Sequence, residues 1–242
     1  MHLDFKNKKV LITGATRGIG FETAKAFEKL NATVVITGTK DNFISKEFTY
    51  HYEKLFISKE NDWKNEIKSI INKYDGFDIC INNAGINKIN PIEKIDYEDL
   101  ENIILANLTA PIYITSLIAK KMIENRKGSI INIGSIFGTV SKIGRSSYTA
   151  TKSGIIGVTK TMAIDLAEHN ILVNCVSPGF VDTELTRKVL GKEQMKIMSE
   201  KIPMKRLANT KDITSIILFL CSEFNTYITG QNITVDGGFT LE

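Results

Sequence analysis

The chain has 242 residues, of which 43% are hydrophobic and 24% charged, and its formal net charge is +4. This is the composition of an ordinary globular protein, long enough to bury one large core. The charge is too small to indicate a nucleic-acid-binding protein, and without a run of about eighteen apolar residues the sequence predicts no membrane span.

Strand and helix patterns alternate along the chain. In order, they predict a strand at 9–13, a helix at 19–30, strands at 33–37 and near 54–57, a helix at 62–73, a strand at 78–81, a helix at 97–124 interrupted at Pro111, a strand at 129–133, a helix at 147–168, a strand at 172–176, a helix at 211–221 and a strand at 232–235. This alternation indicates an α/β fold: one Rossmann-type domain over 1–242, a doubly wound parallel sheet of about seven strands with helices on both faces.

The N-terminus and the cysteines bear on the compartment. The first residues lead directly into strand-forming sequence and lack the apolar core of a secretory signal. Cys80, Cys175 and Cys221 form no C-x-x-C pair, and the three histidines are scattered. We interpret the cysteines as small buried hydrophobic residues in a reducing compartment, and we expect a cytoplasmic protein without a metal site.

A glycine-rich turn follows the first predicted strand and opens the next helix. It reads Thr13-Gly14-Ala15-Thr16-Arg17-Gly18-Ile19-Gly20. Glycines here let the backbone approach a pyrophosphate, whose charge is favoured at a helix N-terminus. Tight turns also select glycine for their own geometry, but the flanking strand and helix fit a dinucleotide site.

The end of the second predicted strand bears on the choice of cofactor. An acid there would hold the ribose diol of NAD, but Thr37-Gly38-Thr39-Lys40 contains none before Asp41. Arg17, inside the glycine turn, can pair with a 2′-phosphate. The alternative is that Arg17 and Lys40 are solvated surface charges. We predict NADPH/NADP rather than NADH/NAD.

Three further residues indicate chemistry on a carbonyl group. Ser135 follows the strand at 129–133, and Tyr148 and Lys152 lie one helical turn apart. Hydride transfer to a ketone leaves a negative oxygen that needs a proton, and a free tyrosine, with a pKa of about 10, is a poor acid near neutrality. A lysine ammonium at i+4 favours the phenolate, and a serine hydroxyl can hold the carbonyl oxygen. Singly, each residue has an ordinary structural explanation; together they predict carbonyl reduction.

With these residues, several further motifs make the chain resemble the short-chain dehydrogenase/reductase family over nearly its whole length. They are Asn82-Asn83-Ala84-Gly85, Asn107-Leu108, Pro178-Gly179, Tyr227-Ile228-Thr229-Gly230 and Asp236-Gly237-Gly238. The resemblance implies that Tyr148 is the general acid/base and that Lys152 assists it and binds the nicotinamide ribose. It also implies that Ser135 orients the substrate and that Asn107 holds a proton-relaying water.

The family resemblance also implies the cofactor-binding residues. These are Gly14, Thr16, Arg17, Gly18, Ile19, Gly20, Thr37, Asn83, Ala84, Gly85, Tyr148, Lys152, Pro178, Gly179, Val181 and Thr183, of which Val181 and Thr183 would contact the nicotinamide carboxamide. At the adenine end, Leu55-Phe56-Ile57-Ser58 lacks the aspartate that members often carry, so no contact is assigned. Members are usually tetramers or dimers, so we expect a homotetramer.

Within the family, the sequence is most similar to bacterial 3-oxoacyl-[acyl-carrier-protein] reductases, which implies a role in fatty acid biosynthesis. Arg126 matches a basic position that docks the acidic carrier protein, whereas His169 replaces a second arginine. A sugar, polyol or other small anionic keto compound is the alternative substrate. A non-catalytic dinucleotide-binding sensor or scaffold is a further alternative, opposed by the presence of both Tyr148 and Lys152.

Two features bear on the substrate itself. Arg145 is expected to face the pocket beside Phe137 and Ile143, where the similar reductases have a glutamine. We hypothesise that it pairs with an anionic substrate group; the alternative is an exposed loop arginine. The segment 179–206 is the expected lid, and its seven basic against four acidic residues suit an acidic carrier or a phosphorylated substrate, unless they are simply a solvated helix face.

Overall fold

The computed structural model of the protein describes residues 3–241. Seven strands form one sheet: β1 (Lys9–Ile12), β2 (Thr33–Gly38), β3 (His51–Lys54), β4 (Ile79–Asn82), β5 (Gly128–Ile133), β6 (Ile171–Pro178) and β7 (Asn232–Val235). Their spatial order is β3-β2-β1-β4-β5-β6-β7, and every neighbouring pair is parallel. The predicted parallel sheet is confirmed. Its strand order changes direction between β1 and β4, so a crevice lies at their carboxyl ends.

Seven α-helices cover the two faces of the sheet. They are α1 (Gly18–Lys29), α2 (Trp63–Lys73), α3 (Tyr97–Ile104), α4 (Ala110–Asn125), α5 (Ser146–Ala167), α6 (Glu184–Lys201) and α7 (Thr210–Cys221). Because side chains alternate along a strand, Val10 and Ile12 pack with α1 and α7, whereas Leu11 packs with α2 and α4 on the other face. Two hydrophobic cores therefore hold the sheet from opposite sides, as the doubly wound prediction requires.

The third predicted helix is interrupted, but not in the way proline alone would predict. One π-helical turn, Leu105–Thr109, separates α3 from α4. Pro111 lies in the first turn of α4, directly after the π turn, and has no N–H to donate to the carbonyls of that turn. The break therefore belongs to the π turn, a feature frequent at functional sites.

The strand predicted near 54–57 is displaced. The observed strand β3 pairs residues 51–54 with β2 at the edge of the sheet, and Leu55 follows it. Its sequence, HYEK, is mostly polar because only one side of an edge strand is paired and its exposed side favours charged residues.

One helical stretch, 97–125, is long and apolar enough in composition to cross a membrane. Half of its most apolar window is buried inside the protein, and Ile114, Ile118 and Met122 contribute to the core beneath α4. This burial is that of a helix packed on a sheet. The three cysteines are free and buried, in agreement with their interpretation as small hydrophobic residues.

Candidate active site

The glycine turn between β1 and α1 is shaped by positive φ angles and by close backbone contact. Gly14 and Gly18 have φ of +63° and +61°, in the left-handed region that favours glycine. A Cβ on Gly14 would lie 2.8 Å from Ala84 Cα, and one on Gly20 would lie 2.9 Å from Ala15 Cα. No side chain fits at either position, so the backbone remains open to a phosphate group.

Asn83 fixes this turn to the end of β4. Its side-chain amide donates to the carbonyls of Thr13 (2.9 Å) and Gly14 (3.0 Å). In return, the Thr13 hydroxyl accepts from the backbone N–H groups of Asn83 and Ala84, both at 3.0 Å. The side chain of Asn83, predicted to contact the cofactor, is thus used to position the turn that would hold it.

Thr37 also lies behind the turn rather than on its open surface. Its side chain is only 1% exposed, and its hydroxyl accepts from Gly14 N–H at 3.3 Å. Its carbonyl accepts from Ala15 N–H at 3.0 Å. Thr37 therefore supports the glycine turn from behind, and its contact with the cofactor stays a prediction.

At the adenosine end, the positive charges are exposed and the nearest acid is paired. Arg17 and Lys40 are both exposed. Asp41, the first acid after β2, accepts from Lys54 Nζ at 2.7 Å, and this hydrogen bond lowers the pKa of the Asp41 carboxyl. The first carboxylate after β2 is thus paired with Lys54 instead of being free for a ribose diol.

Sequence reasoning missed Tyr52 at this end. Its hydroxyl donates to the Lys40 carbonyl at 2.5 Å, and it would lie 3.1 Å from a Cβ built on Gly38. Tyr52 therefore fixes the segment that follows β2. The signal that could have found it was the tyrosine within β3, which the sequence placed three residues too late.

The predicted catalytic residues come together at the carboxyl end of β5. Lys152 is 6% exposed, its Nζ donates to the Ile133 carbonyl at 2.6 Å, and it lies 5.6 Å from the ring centroid of Tyr148. Ser135 is 7% exposed, and its hydroxyl oxygen accepts from Phe137 N–H at 3.1 Å. That bond uses an acceptor position of Ser135 and leaves its proton available to a substrate oxygen.

Asn107 lies in the π turn with its side chain fully engaged as a donor. Its amide nitrogen donates to the Ile86 carbonyl (2.8 Å) and to the Thr151 hydroxyl (3.3 Å), and its amide oxygen accepts from Ile86 N–H (2.8 Å). Both amide protons are therefore used within the protein. A relay water would have to bind another atom of Asn107, such as its main-chain carbonyl, so the side chain is a brace between α5 and the loop after β4.

The β6 end supplies the opposite wall of the crevice. A Cβ on Gly18 would lie 3.8 Å from Thr183 Cγ2, so the glycine turn and the start of α6 face each other. Thr183 caps α6 by accepting from Thr186 N–H at 3.2 Å. Val181 is 6% exposed and bridges to Ala208, so any contact it makes with a cofactor would use its backbone.

The substrate side is lined by aromatic rings. Phe137 packs edge-on against Tyr148, with ring centroids 6.4 Å apart, and against Phe180 at 6.2 Å. Phe180 continues to Phe239 at 5.1 Å. The sequence predicted Phe137 at the site but not Phe180 or Phe239. These two rings are distant from Phe137 in the sequence, and only the folded chain brings them together.

Of the other two residues predicted to contact the substrate, Arg145 lies beside Phe137 and Ile143 is exposed. Arg145 is half-buried, with its guanidinium carbon 5.0 Å from the ring centroid of Phe137. Ile143 is 89% exposed and is not brought against the other site residues. Its position in a loop before α5, rather than on the helix, accounts for the difference.

The described residues offer neither a reactive cysteine nor a metal-binding cluster at this site. Burial raises the pKa of Cys175, the cysteine of β6, to about 11, so its thiol is not a nucleophile at neutral pH. Within residues 3–241, no cluster of histidine, cysteine and acidic side chains has the geometry of a metal site.

The chain is similar to known reductases over nearly its full length. Residues 14–240 match a family model described as "Enoyl-(Acyl carrier protein) reductase". The 3-oxoacyl-[acyl-carrier-protein] reductase FabG of Aquifex aeolicus is 38% identical, with 98% of this chain and 99% of that protein covered. The protein of the same name from Thermotoga maritima is 36% identical, with 98% and 99% covered.

Solved structures show the same fold. A putative short-chain alcohol dehydrogenase from Sinorhizobium meliloti superposes with a TM-score of 0.92 at 29% identity, covering 100% of both chains. A gluconate 5-dehydrogenase from Burkholderia cenocepacia, in complex with NADP and tartrate, gives a TM-score of 0.90 at 25% identity and covers 100% of this chain and 98% of its own.

Proposed function

The chain belongs to the short-chain dehydrogenase/reductase family, and we propose that it is an NADPH-dependent oxidoreductase whose substrate is a 3-oxoacyl-[acyl-carrier-protein]. The observation that carries this proposal is the arrangement of Tyr148, Lys152 and Ser135 at the carboxyl end of β5. The relatives from Aquifex aeolicus and Thermotoga maritima are named for the same reaction.

The residues divide the reaction between them. NADPH supplies the hydride when it is bound in the crevice. Ser135 donates a hydrogen bond to the ketone oxygen, and Tyr148 transfers its phenolic proton to that oxygen as negative charge develops. Lys152, fixed by the Ile133 carbonyl, stabilises the phenolate left behind and has two further N–H donors for a ribose hydroxyl.

The cofactor end fits a dinucleotide that carries a 2′-phosphate. A Cβ at Gly14 or Gly20 would collide with neighbouring backbone, and the N-terminus of α1 favours an anion. Arg17 and Lys40 are exposed positive charges, and the Asp41 carboxylate is paired with Lys54. Two structural neighbours, one of them the Burkholderia cenocepacia enzyme, were solved with NADP bound. These features support NADPH over NADH.

An apolar rim supports an acyl chain as part of the substrate. Ile86 and Ile89 are exposed by 45% and 49%. Ile86 is bonded to Asn107, and Asn90 N–H donates to the Gly144 carbonyl at 3.1 Å, so these loops meet beside the site. Exposed apolar side chains at a site mouth favour an apolar partner over a polyol.

Docking of an acyl carrier protein has weaker support. Arg126 donates to the carbonyl of Glu168 at 2.8 Å, which places Arg126 and His169 on one surface. That surface is at the start of β5, whereas Ser135 follows its end, about 20 Å away at the rise of a parallel strand. A carrier bound there would need a long flexible arm to deliver its acyl group.

A small anionic keto compound is the second candidate substrate. It is favoured by Arg145 in the pocket wall and by the similarity to the Burkholderia cenocepacia gluconate 5-dehydrogenase. A non-catalytic dinucleotide-binding role has no such support, because it leaves the buried Lys152 beside Tyr148 without a purpose.

We further propose one catalytic domain over 1–242, a homotetramer in the cytoplasm, and a lid at 179–206. Within that segment, α6 is broken at Gly191, where φ is 70°. Two of its basic residues are already paired, Arg187 with Asp182 and Arg206 with Asp212. The remaining basic charge of the lid is therefore smaller than the sequence implies.

The proposal is tested by following NADPH absorbance with the purified protein. Acetoacetyl thioester, as the carrier-protein conjugate and as a short pantetheine analogue, is compared with a panel of keto-sugars. We expect kcat/KM to be highest with the thioesters. Faster reduction of a keto-sugar would assign the second candidate, and tight NADPH binding without turnover on any ketone would point to a non-catalytic protein.

A further inference from the structure

Arg145 lies along the wall of the pocket that contains the catalytic phenol. It stands at the N-terminal boundary of α5, one turn before Tyr148 on the same side of the helix. Its guanidinium carbon lies over the Phe137 ring, 5.0 Å from the centroid, and the Phe137 ring contacts Tyr148 edge-on. One aromatic ring thus touches both the guanidinium and the phenol.

The position of Arg145 is not explained by the stability of the helix. A cation at a helix N-terminus is opposed by the helix dipole. Serine, threonine, asparagine or aspartate would cap α5 there, whereas the Arg145 side chain makes no capping hydrogen bond. An arginine here therefore lowers the stability of the start of α5, so another contact must account for its presence.

No carboxylate among residues 3–241 neutralises this guanidinium. Among residues 3–241, none of the ion pairs involves Arg145. Burial lowers the pKa of Arg145, and the neighbouring Tyr148 opposes that effect. The site therefore contains a half-buried cation without a counter-ion from the described part of the chain.

The geometry leaves the donors of Arg145 free for a ligand. A guanidinium has five N–H donors in one plane. Within the described residues, its side chain makes no hydrogen bond to another group. A planar carboxylate matches two of these donors at once.

We propose that Arg145 gives the site a second class of substrate besides the carrier-bound thioester, namely small ketones with a carboxylate close by. Among small unconjugated ketones, the site then prefers a keto acid over the corresponding neutral ester. This inference rests on the proposed ketone reduction by Tyr148 and adds the charge of a neighbouring substrate group. A 3-oxoacyl thioester has a neutral carbonyl oxygen two carbons from its ketone, which is a weaker acceptor than a carboxylate at the same place.

The test compares acetoacetate with methyl acetoacetate, which differ in charge but share the ketone. Arg145→Gln keeps a neutral donor of similar reach, and Lys142→Gln removes an exposed cation three residues earlier as a matched control. We expect Arg145→Gln to lower kcat/KM for acetoacetate about 10- to 100-fold more than for the ester, the range of a charge-assisted hydrogen bond. Lys142→Gln should leave the ratio unchanged.

An equal loss on both ketones would overturn the inference. If the pH-rate profile also moved, Arg145 would act on Tyr148 instead of on the substrate.

A binding measurement separates this inference from the proposed function. Malonate has carboxylates but no ketone, and its binding to the NADP-loaded protein can be followed by calorimetry. We expect malonate binding that Arg145→Gln abolishes and Lys142→Gln retains. If that pattern holds but neither ketone is reduced, the proposed function fails and the inference stands. If both ketones are reduced while the wild-type protein binds no malonate, the inference fails and the proposed function stands.

Discussion

The guanidinium of Arg17 has the clearest predicted effect on cofactor choice of any single side chain. It is exposed on the glycine turn, whose backbone is shaped to approach a phosphate. Replacing it by alanine should lower kcat/KM for NADPH about 10- to 100-fold while changing that for NADH little, because a charge-assisted hydrogen bond contributes about 1.5–3 kcal/mol. Steady-state kinetics with both cofactors measures this preference.

Lys68→Ala is the matched control, since Lys68 is also exposed but lies on α2, which packs on the face of the sheet opposite α1. A loss of equal size with NADPH and NADH in Arg17→Ala would show that the guanidinium does not read the 2′-phosphate.

Side-chain contacts between residues close together in the sequence were predicted correctly. Tyr148 and Lys152 are one helical turn apart, so their contact follows from helix geometry. Asn83 and Thr37 were assigned to the cofactor, yet their side chains bond to the glycine turn, far away in the sequence. Such bonds depend on which strands become neighbours, and no local pattern contains that information.

At the element scale, the start of α7 combines a capping box with an ion pair. Asn209 and Asp212 exchange side-chain and backbone hydrogen bonds, and Arg206 donates to Asp212 at 2.6 Å. Asp212→Ala should lower the free energy of unfolding by about 1–2 kcal/mol at pH 7, as measured by urea denaturation. Lys211→Ala, at an exposed neighbouring position, should change it by much less.

The effect of Asp212 should also depend on pH. The hydrogen bond from Arg206 lowers the pKa of the Asp212 carboxyl in the folded protein. Its stabilisation is therefore complete above the unfolded-state pKa of about 3.9 and is lost as the pH falls through the lower folded-state value. A difference between wild type and Asp212→Ala that grows on acidification would contradict this account.

Elements with a strong apolar period were predicted closely, and the others were not. The buried strand β4 was placed within one residue, because its apolar run has only one interpretation. The polar edge strand β3 was placed too late, since its pairing with β2 is a backbone property. The π turn was missed because an added residue in a helix leaves the apolar pattern almost intact.

At the scale of the whole molecule, an exposed apolar side chain on α5 supports the proposed assembly. Ile164 is 77% exposed in the single chain. If α5 lies at an interface between copies, Ile164→Glu should shift the protein from a tetramer of 27.0 kDa chains to smaller species in analytical ultracentrifugation, because a buried unpaired charge is costly.

Ile44 is 85% exposed in the loop before β3, and Ile44→Glu is the matched control that should leave the mass unchanged. A wild-type protein that sediments as a monomer, or an Ile164→Glu variant that remains tetrameric, would remove this support.

Ketone reduction by this protein depends most directly on the phenolic proton of Tyr148. Tyr148→Phe removes only that hydroxyl, and Tyr227→Phe makes the same change at a side chain that is 96% exposed. We expect kcat for ketone reduction to fall at least about 100-fold in Tyr148→Phe, the lower range for loss of a general acid, and to be unchanged in Tyr227→Phe. Both variants should still bind NADPH, as measured by fluorescence titration. Undiminished ketone reduction by Tyr148→Phe would contradict the account.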